Sequence, residues 1–166
     1  GNAPRHGRCD GRGTGVIVTP APRLKAQDID DIMERASAAL AVTDYFLAAR
    51  LCLKALERAH RIGDFERMAR IVLPLQEARR QIRETALDSG VCLERSTLPE
   101  SGEIFGVGCY LLTPPLIGVD GRSFRELAEG RRTPAVVLTR EPTTSAGKWP
   151  IVAVGGGGGP AGLPLV

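Results

Sequence analysis

The stretch TDYFLAARLCLKALERAHRIGDFERMARIVLPLQEARR, residues 43–80, decides the fold of the first half of this chain. A small residue, an Asp and an aromatic occur in it twice, as TDY at residues 43–45 and as GDF at residues 63–65. Asp is a preferred N-cap residue because its side chain accepts hydrogen bonds from the free N–H groups of the first helical turn. The two triplets therefore predict successive helices over residues 44–61 and about 65–87.

Small and apolar side chains indicate how these helices pack. Ala48 and Ala55 share one face of the predicted helix 44–61, so a neighbouring helix can approach that face closely. Upstream, residues 28–42 carry an apolar stripe at i, i+3, i+4 spacing, which predicts another helix with Asp28 as its N-cap. Pro74 falls inside the last helical pattern and predicts a kink or a new segment there.

Residues 29–60 resemble about one tetratricopeptide repeat. The matching residues are the turn pair, the small packing positions and the Leu that follows them: Ala36, Asp44, Tyr45, Ala48, Ala55 and Leu56. The GDF triplet lies twenty positions after TDY rather than about 34, so it marks the next helix start instead of a second repeat. The resemblance implies a helical hairpin for protein–protein interaction. Because one hairpin and one helix cannot bury a continuous core, their apolar faces must close on the second half of the chain or on another subunit.

Beyond residue 90 the apolar pattern changes from helical to strand-like. GVCLERSTL and EIFGVGCYLL read as strands around the turn sequence PESG, and PAVVLT and WPIVAV read as later strands. Between them, Ser123 with Glu126 forms a capping-box pattern and Gly130 a stop signal, which predicts a two-turn helix. Strand, helix and strand suggest a right-handed βαβ crossover. The predicted fold is α+β: an N-terminal three-helix module that resembles a tetratricopeptide hairpin, then a small α/β lobe with one βαβ crossover.

Composition divides the chain into four predicted parts. These are a flexible basic arm (1–27), the helical module (28–89), the α/β lobe (90–154) and a glycine-rich tail (155–166). The arm holds five Arg or Lys residues and one Asp, so it accounts for the formal net charge of +3. It contains no aromatic residue on which bases could stack. Nucleic-acid binding through the arm is therefore the weakest of the alternatives.

The four cysteines and two histidines show no metal-binding spacing, and no Cys-x-x-Cys pair occurs. We therefore expect no metal and no cofactor. The sequence has no secretory-signal pattern and no apolar run of about twenty residues, so we expect a cytoplasmic protein with reduced thiols and no membrane insertion. A disulfide between Cys92 and Cys109 across a strand pair is the alternative.

Polar loops follow the two strands of the predicted βαβ unit. The loops at residues 113–120 and 139–148 should open on the same edge of the sheet, where ligands of such units commonly bind. They contribute the candidate ligand-binding residues Thr113, Asp120, Arg140 and Lys148. Arg and Lys among hydroxyl groups suit an anion. An ordinary polar loop, whose Thr and Ser side chains satisfy their own backbone, is the alternative.

No catalytic constellation stands out, so the sequence favours a non-enzymatic protein–protein interaction module. Such a scaffold, adaptor or subunit would bind a protein partner or self-associate. Its predicted interaction surface comprises Ala48, Ala55, Arg79 and Arg83. A regulatory domain that binds a small ligand or nucleotide through the two polar loops is the second interpretation.

Overall fold

The computed structural model describes residues 21–100 and 102–153. Within this part, three helices come first, and a four-stranded sheet with a fourth helix follows. The helices are α1 (Ala21–Ala41), α2 (Tyr45–Arg61), α3 (Phe65–Asp88) and α4 (Gly118–Gly130); the strands are β1 (Cys92–Arg95), β2 (Gly108–Leu112), β3 (Ala135–Arg140) and β4 (Ile151–Ala153). The predicted α+β fold, with an N-terminal helical module and one βαβ crossover in the sheet, is confirmed.

The first helix begins earlier than the sequence predicted. It starts at Ala21, so Asp28 lies inside α1 and is not its N-cap. Pro22 falls in the first turn, where its missing N–H interrupts no helical hydrogen bond. The predicted arm therefore meets the described residues only at 21–27, which are helical; the rest of the arm and the tail 155–166 lie outside them.

The two repeated triplets fold into the same turn. Asp44 accepts a hydrogen bond from the N–H of Leu47, and Asp64 accepts one from the N–H of Arg67, each at 3.0 Å. The residue before each Asp has a positive φ, 60° at Thr43 and 68° at Gly63. Only the glycine adopts this conformation without steric cost. The prediction that the triplets mark two helix starts is confirmed.

A seam of alanines joins the three helices of the module. Ala39 of α1, Ala48 of α2 and Ala78 of α3 pack together, and Ala48 and Ala78 have no exposed surface. Ala55 is also fully buried and belongs to a larger apolar cluster beside this seam. Ala48 and Ala55 therefore contact helices of their own chain. Their predicted place on a partner-binding surface is wrong because the fold leaves neither methyl group accessible.

Pro74 does not end α3. The helix runs as one element from Phe65 to Asp88 with Pro74 inside it, so no new segment starts there. The kink, which was the other possibility, stays a prediction. Ile71 and Leu75, on either side of the proline, are buried in the apolar cluster of the module. Tertiary packing of this face holds the helix together across the missing hydrogen bond.

The sheet has the order β1-β2-β3-β4, in which the first three strands are parallel and β4 is antiparallel to β3. The sequence PESG was expected to be a turn between two strands. Because β1 and β2 are parallel, the connection between them must instead return the chain to the starting edge of the sheet. This connection contributes Phe105, which is 8 % exposed, to the core of the lobe.

Alternation along the strands gives the sheet two apolar faces. Tyr110, Leu112 and Val137 pack with Phe124 of α4 on one face. The rings of Tyr110 and Phe124 lie 4.8 Å apart between centroids. Residues in between, such as Val136, project from the opposite face, and α3 lies against β2 and β3. The sheet therefore lies between α4 and the helical module.

Candidate functional site

The start of α4 is occupied by the protein's own carboxylates. This helix begins at Gly118, five residues before the predicted Ser123. Asp120 accepts a hydrogen bond from the Ile117 N–H, and Glu141, from the loop after β3, accepts one from the Gly118 N–H, both at 2.8 Å. The predicted ligand residue Asp120 thus acts as a helix cap. Glu141 occupies the position at the helix N-terminus where an anion would otherwise be stabilised.

The other predicted loop residues also have partners within the chain. Thr113 is 5 % exposed, and its hydroxyl donates to the Arg95 carbonyl at 3.4 Å. The Arg140 guanidinium stacks over the Trp149 ring, 4.2 Å from its centroid. Lys148 is exposed, and its backbone N–H donates to the Thr144 hydroxyl at 3.2 Å.

The structure therefore brings the two polar loops together through Gly118 and Glu141. Thr113 is buried in the lobe, Arg140 lies against the ring of Trp149, and Lys148 belongs to a local turn. These contacts agree with the alternative of ordinary polar loops. Anion binding at Arg140 and Lys148 stays a prediction.

A larger site lies between the helical module and the sheet. This interlayer cleft has a volume of about 780 Å³, within the range typical of ligand pockets. Leu53, Leu56 and Ile82 line it from the helices, and Val136, Leu138 and Ala153 line it from the sheet. All of these side chains except that of Ala153 are half-buried, so each of them presents apolar surface to the cleft.

Positive charge predominates around these apolar walls. The basic side chains that line the interlayer cleft are Arg50, Lys54, Arg79, Arg83, Arg125 and Arg132, against the carboxylates of Glu57 and Glu129. Two of the predicted interaction residues, Arg79 and Arg83, are thus at this site. Val136 and Leu138 of the sheet lie across the cleft from them.

Arg79 shares with Arg125 the most buried positions among these cations, since the other four are exposed. The Arg79 side chain is half-buried, and this burial lowers the pKa of its guanidinium. The nearby positive charges of Arg125 and Arg83 lower that pKa further, whereas the negative charge of Glu129 raises it. Glu129 is also the ion-pair partner of Arg125 at 2.9 Å. Glu129 therefore pairs with Arg125 and also acts electrostatically on Arg79. Among the described residues, none accepts a hydrogen bond from the Arg79 side chain or forms an ion pair with it.

An ion pair joins the two layers at the rim of the interlayer cleft. Arg132, which follows α4, donates to the Asp44 carboxylate at the start of α2. Its backbone has a φ of 56°, an uncommon conformation for a residue with a side chain. The hydrogen bond from the Leu47 N–H is the main cause that lowers the pKa of Asp44, and the hydrogen bond from the Arg132 side chain lowers it further. One carboxylate therefore caps α2 and holds the lobe against the module.

The sequence did contain a signal for this site. Ala48, Cys52, Ala55 and Ala59 form the buried face of α2. Leu53 lies on another side of the same helix, and Leu56 lies at the border between the two sides. A helix with two apolar faces packs against two layers. That second face indicates a cleft, although it does not identify the opposing strand.

Several kinds of site are not found in the described part of the chain. No group of three or more His, Cys, Asp or Glu side chains could hold a metal ion there. None of the helices described is both long and apolar enough to cross a membrane.

Comparison of the chain with protein-family models, curated proteins and solved structures gave no match.

Proposed function

We propose that this chain is a non-enzymatic protein-interaction module that holds an acidic, apolar segment of a partner protein in the interlayer cleft. The observation that carries the proposal is the combination of apolar walls and excess positive charge in a cavity of about 780 Å³. The resemblance of residues 29–60 to a tetratricopeptide hairpin agrees with an interaction role.

The apolar walls supply binding free energy without requiring a specific geometry. Leu53 and Ile82 face Val136 and Leu138 across the cavity, and all four keep part of their surface in water. Burial of such surface contributes about 25 cal/mol per Å² before the entropic costs of association are subtracted. Aliphatic or aromatic side chains of a partner would cover both walls at once.

The cations select the charge of the partner. Arg79 is half-buried beside Arg83 and Arg125, with Glu129 as the nearby carboxylate. A carboxylate from a partner would relieve the repulsion within this group and accept paired hydrogen bonds from a guanidinium. Charge complementarity of this kind also accelerates association and rejects basic segments.

The strand beside the interlayer cleft favours a polypeptide over a small amphiphile. Within the described residues, β4 is hydrogen-bonded to β3 alone, and Ala153 of β4 lines the cavity. Ile151 and Val152 are 62 % and 40 % exposed. An extended segment can add to such an edge by main-chain hydrogen bonds and direct alternate side chains towards the cavity.

A selection from random peptides displayed on phage tests this proposal on the full chain. We expect the enriched peptides to combine Asp or Glu with aliphatic or aromatic residues. Their synthetic versions should bind about tenfold more weakly to Arg79→Glu, a loss of about 1.4 kcal/mol. Arg70→Glu is the matched control, because Arg70 is exposed, pairs with Glu66 and lies on the same helix outside the cavity lining.

Three outcomes would contradict the proposal. The selection could return no binder, its binders could be basic, or Arg79→Glu and Arg70→Glu could weaken binding equally.

Dodecanoate serves as a second probe, since it has an apolar chain and a carboxylate but no peptide backbone. Saturable binding of dodecanoate without any peptide binder would replace the protein segment with a small amphiphile as the occupant.

A further inference from the structure

Two cysteines face each other across the first strand pair of the sheet. Cys92 of β1 is the register partner of Cys109 of β2. Neighbouring strands lie about 4.7–4.9 Å apart, and a disulfide needs a Cα separation of about 4.4–6.8 Å. Because residues in register on adjacent strands project to the same face, both thiols lie on one side of the sheet.

The two thiols interact with each other. Burial, followed by the proximity of the Cys92 thiol and a hydrogen bond with it, raises the pKa of Cys109. Cys92 is exposed, whereas Cys109 is partly covered. Cys92 is therefore the thiol that reagents in solution reach first, and Cys109 is adjacent as the second sulfur.

The remaining described cysteine has a different environment. Cys52 is fully buried in the helical core, and burial raises the pKa of its thiol to about 11. Buried thiols of this kind are inert because neither the thiolate nor the reagent is available. Cys9 lies outside the described residues. Among the described cysteines, the accessible thiols are thus those of the Cys92–Cys109 pair.

We propose that Cys92 and Cys109 form a redox-active dithiol that hydroperoxides oxidise to an intramolecular disulfide. The Cys92 thiolate attacks one oxygen of hydrogen peroxide, which breaks the O–O bond, forms a sulfenic acid and releases hydroxide. The Cys109 thiolate then attacks that sulfur and displaces a second hydroxide, so the S–S bond forms. The two protons given up by the thiols convert both hydroxides to water. Two thiols lose two electrons, and one peroxide becomes two waters.

The position of the pair gives the bond a structural effect. β1 is an edge strand of four residues, and β2 is its hydrogen-bonded neighbour. A disulfide would attach this edge covalently to the interior of the sheet. Reduction by a dithiol would reverse the step through a mixed disulfide.

Oxidation of the full chain by hydrogen peroxide, followed by alkylation and peptide mass mapping, tests the proposal. We expect a cross-linked pair of peptides that contains Cys92 and Cys109 and that disappears on treatment with dithiothreitol. Cys109→Ser should accumulate a sulfenic acid at Cys92 that dimedone labels. Cys52→Ser is the control, since it should leave the cross-link unchanged.

Mapping of the unmodified sequence makes the test independent of whether a variant folds. A cross-link from Cys92 to Cys9, or a disulfide between two chains in place of the internal one, would overturn the proposal. So would oxidation of Cys92 to sulfinic acid while Cys109 remains available to alkylation.

Discussion

Replacement of Ala48 by Leu should destabilise the helical module. Ala48 has no exposed surface and packs between Ala39 of α1 and Ala78 of α3. Leu adds three carbons to a contact made of methyl groups, so the helices must separate or the new side chain must leave its preferred rotamer. Overpacking of this kind costs about 1–3 kcal/mol. At about 2–4 °C per kcal/mol for a chain of this size, the melting temperature should fall by roughly 2–12 °C.

Urea unfolding and thermal melts followed by circular dichroism measure this effect. Ala69→Leu is the matched control, because Ala69 lies on the exposed side of α3 and receives the same three carbons. Ala and Leu have similar helix propensities, so this control should change stability by less than about 0.5 kcal/mol. Equal unfolding midpoints for Ala48→Leu and Ala69→Leu would refute the close-packed alanine seam.

Two further predictions concern the first strand pair and a helix cap. Gly108→Ala should be less stable than Gly106→Ala in urea, because a Cβ at Gly108 would lie 2.9 Å from the Val91 carbonyl oxygen, whereas one at Gly106 has no neighbour within 4 Å. Asp64→Asn should flatten the acid side of a stability-versus-pH curve. Hydrogen bonds from the Arg67 backbone N–H and then its side chain lower the pKa of Asp64 from 3.8, so its contribution is present above that pH and is lost as pH falls through the folded pKa. Asn keeps an oxygen acceptor but does not titrate; identical acid limbs for both proteins would contradict this assignment.

The helices of the module were predictable because their signals are local. The side chain of Asp44 or Asp64 accepts its capping hydrogen bond from the N–H group of a residue only three positions further along the chain. The small residues of α2 recur at the spacing of a helix face, so their packing against other helices also follows from the sequence.

The lobe depends on contacts that no short window contains. Glu141 accepts from the start of α4 across 23 residues, and this partner allows the helix to begin at Gly118 rather than at Ser123. Likewise, PESG has the composition of a turn, but the parallel pairing of β1 with β2 is a property of the whole sheet. Local turn chemistry does not distinguish a hairpin from a crossover that begins with the same residues.

The lining of the interlayer cleft was only half predictable for a related reason. Arg79 and Arg83 were singled out as interaction residues, but their surroundings follow from the position of the sheet. Positive residues on a helix face indicate solvent unless a second layer covers them. Here β3 lies across the interlayer cleft, and Val136 and Leu138 turn that face into one side of a cavity.

The carboxylate of Asp44 contributes both to the geometry of the interlayer cleft and to the stability of α2. Asp44 accepts from the Leu47 N–H, which begins α2, and from Arg132, which lies on the opposite rim. Arg132 holds this position in a backbone conformation that is costly for a non-glycine residue. The surrounding contacts must therefore fix the lobe against the module firmly enough to maintain it. A cavity fixed at its rim in this way presents preorganised apolar walls and cations, so a partner segment would not have to drive the two layers into place, which lowers the free-energy cost of binding.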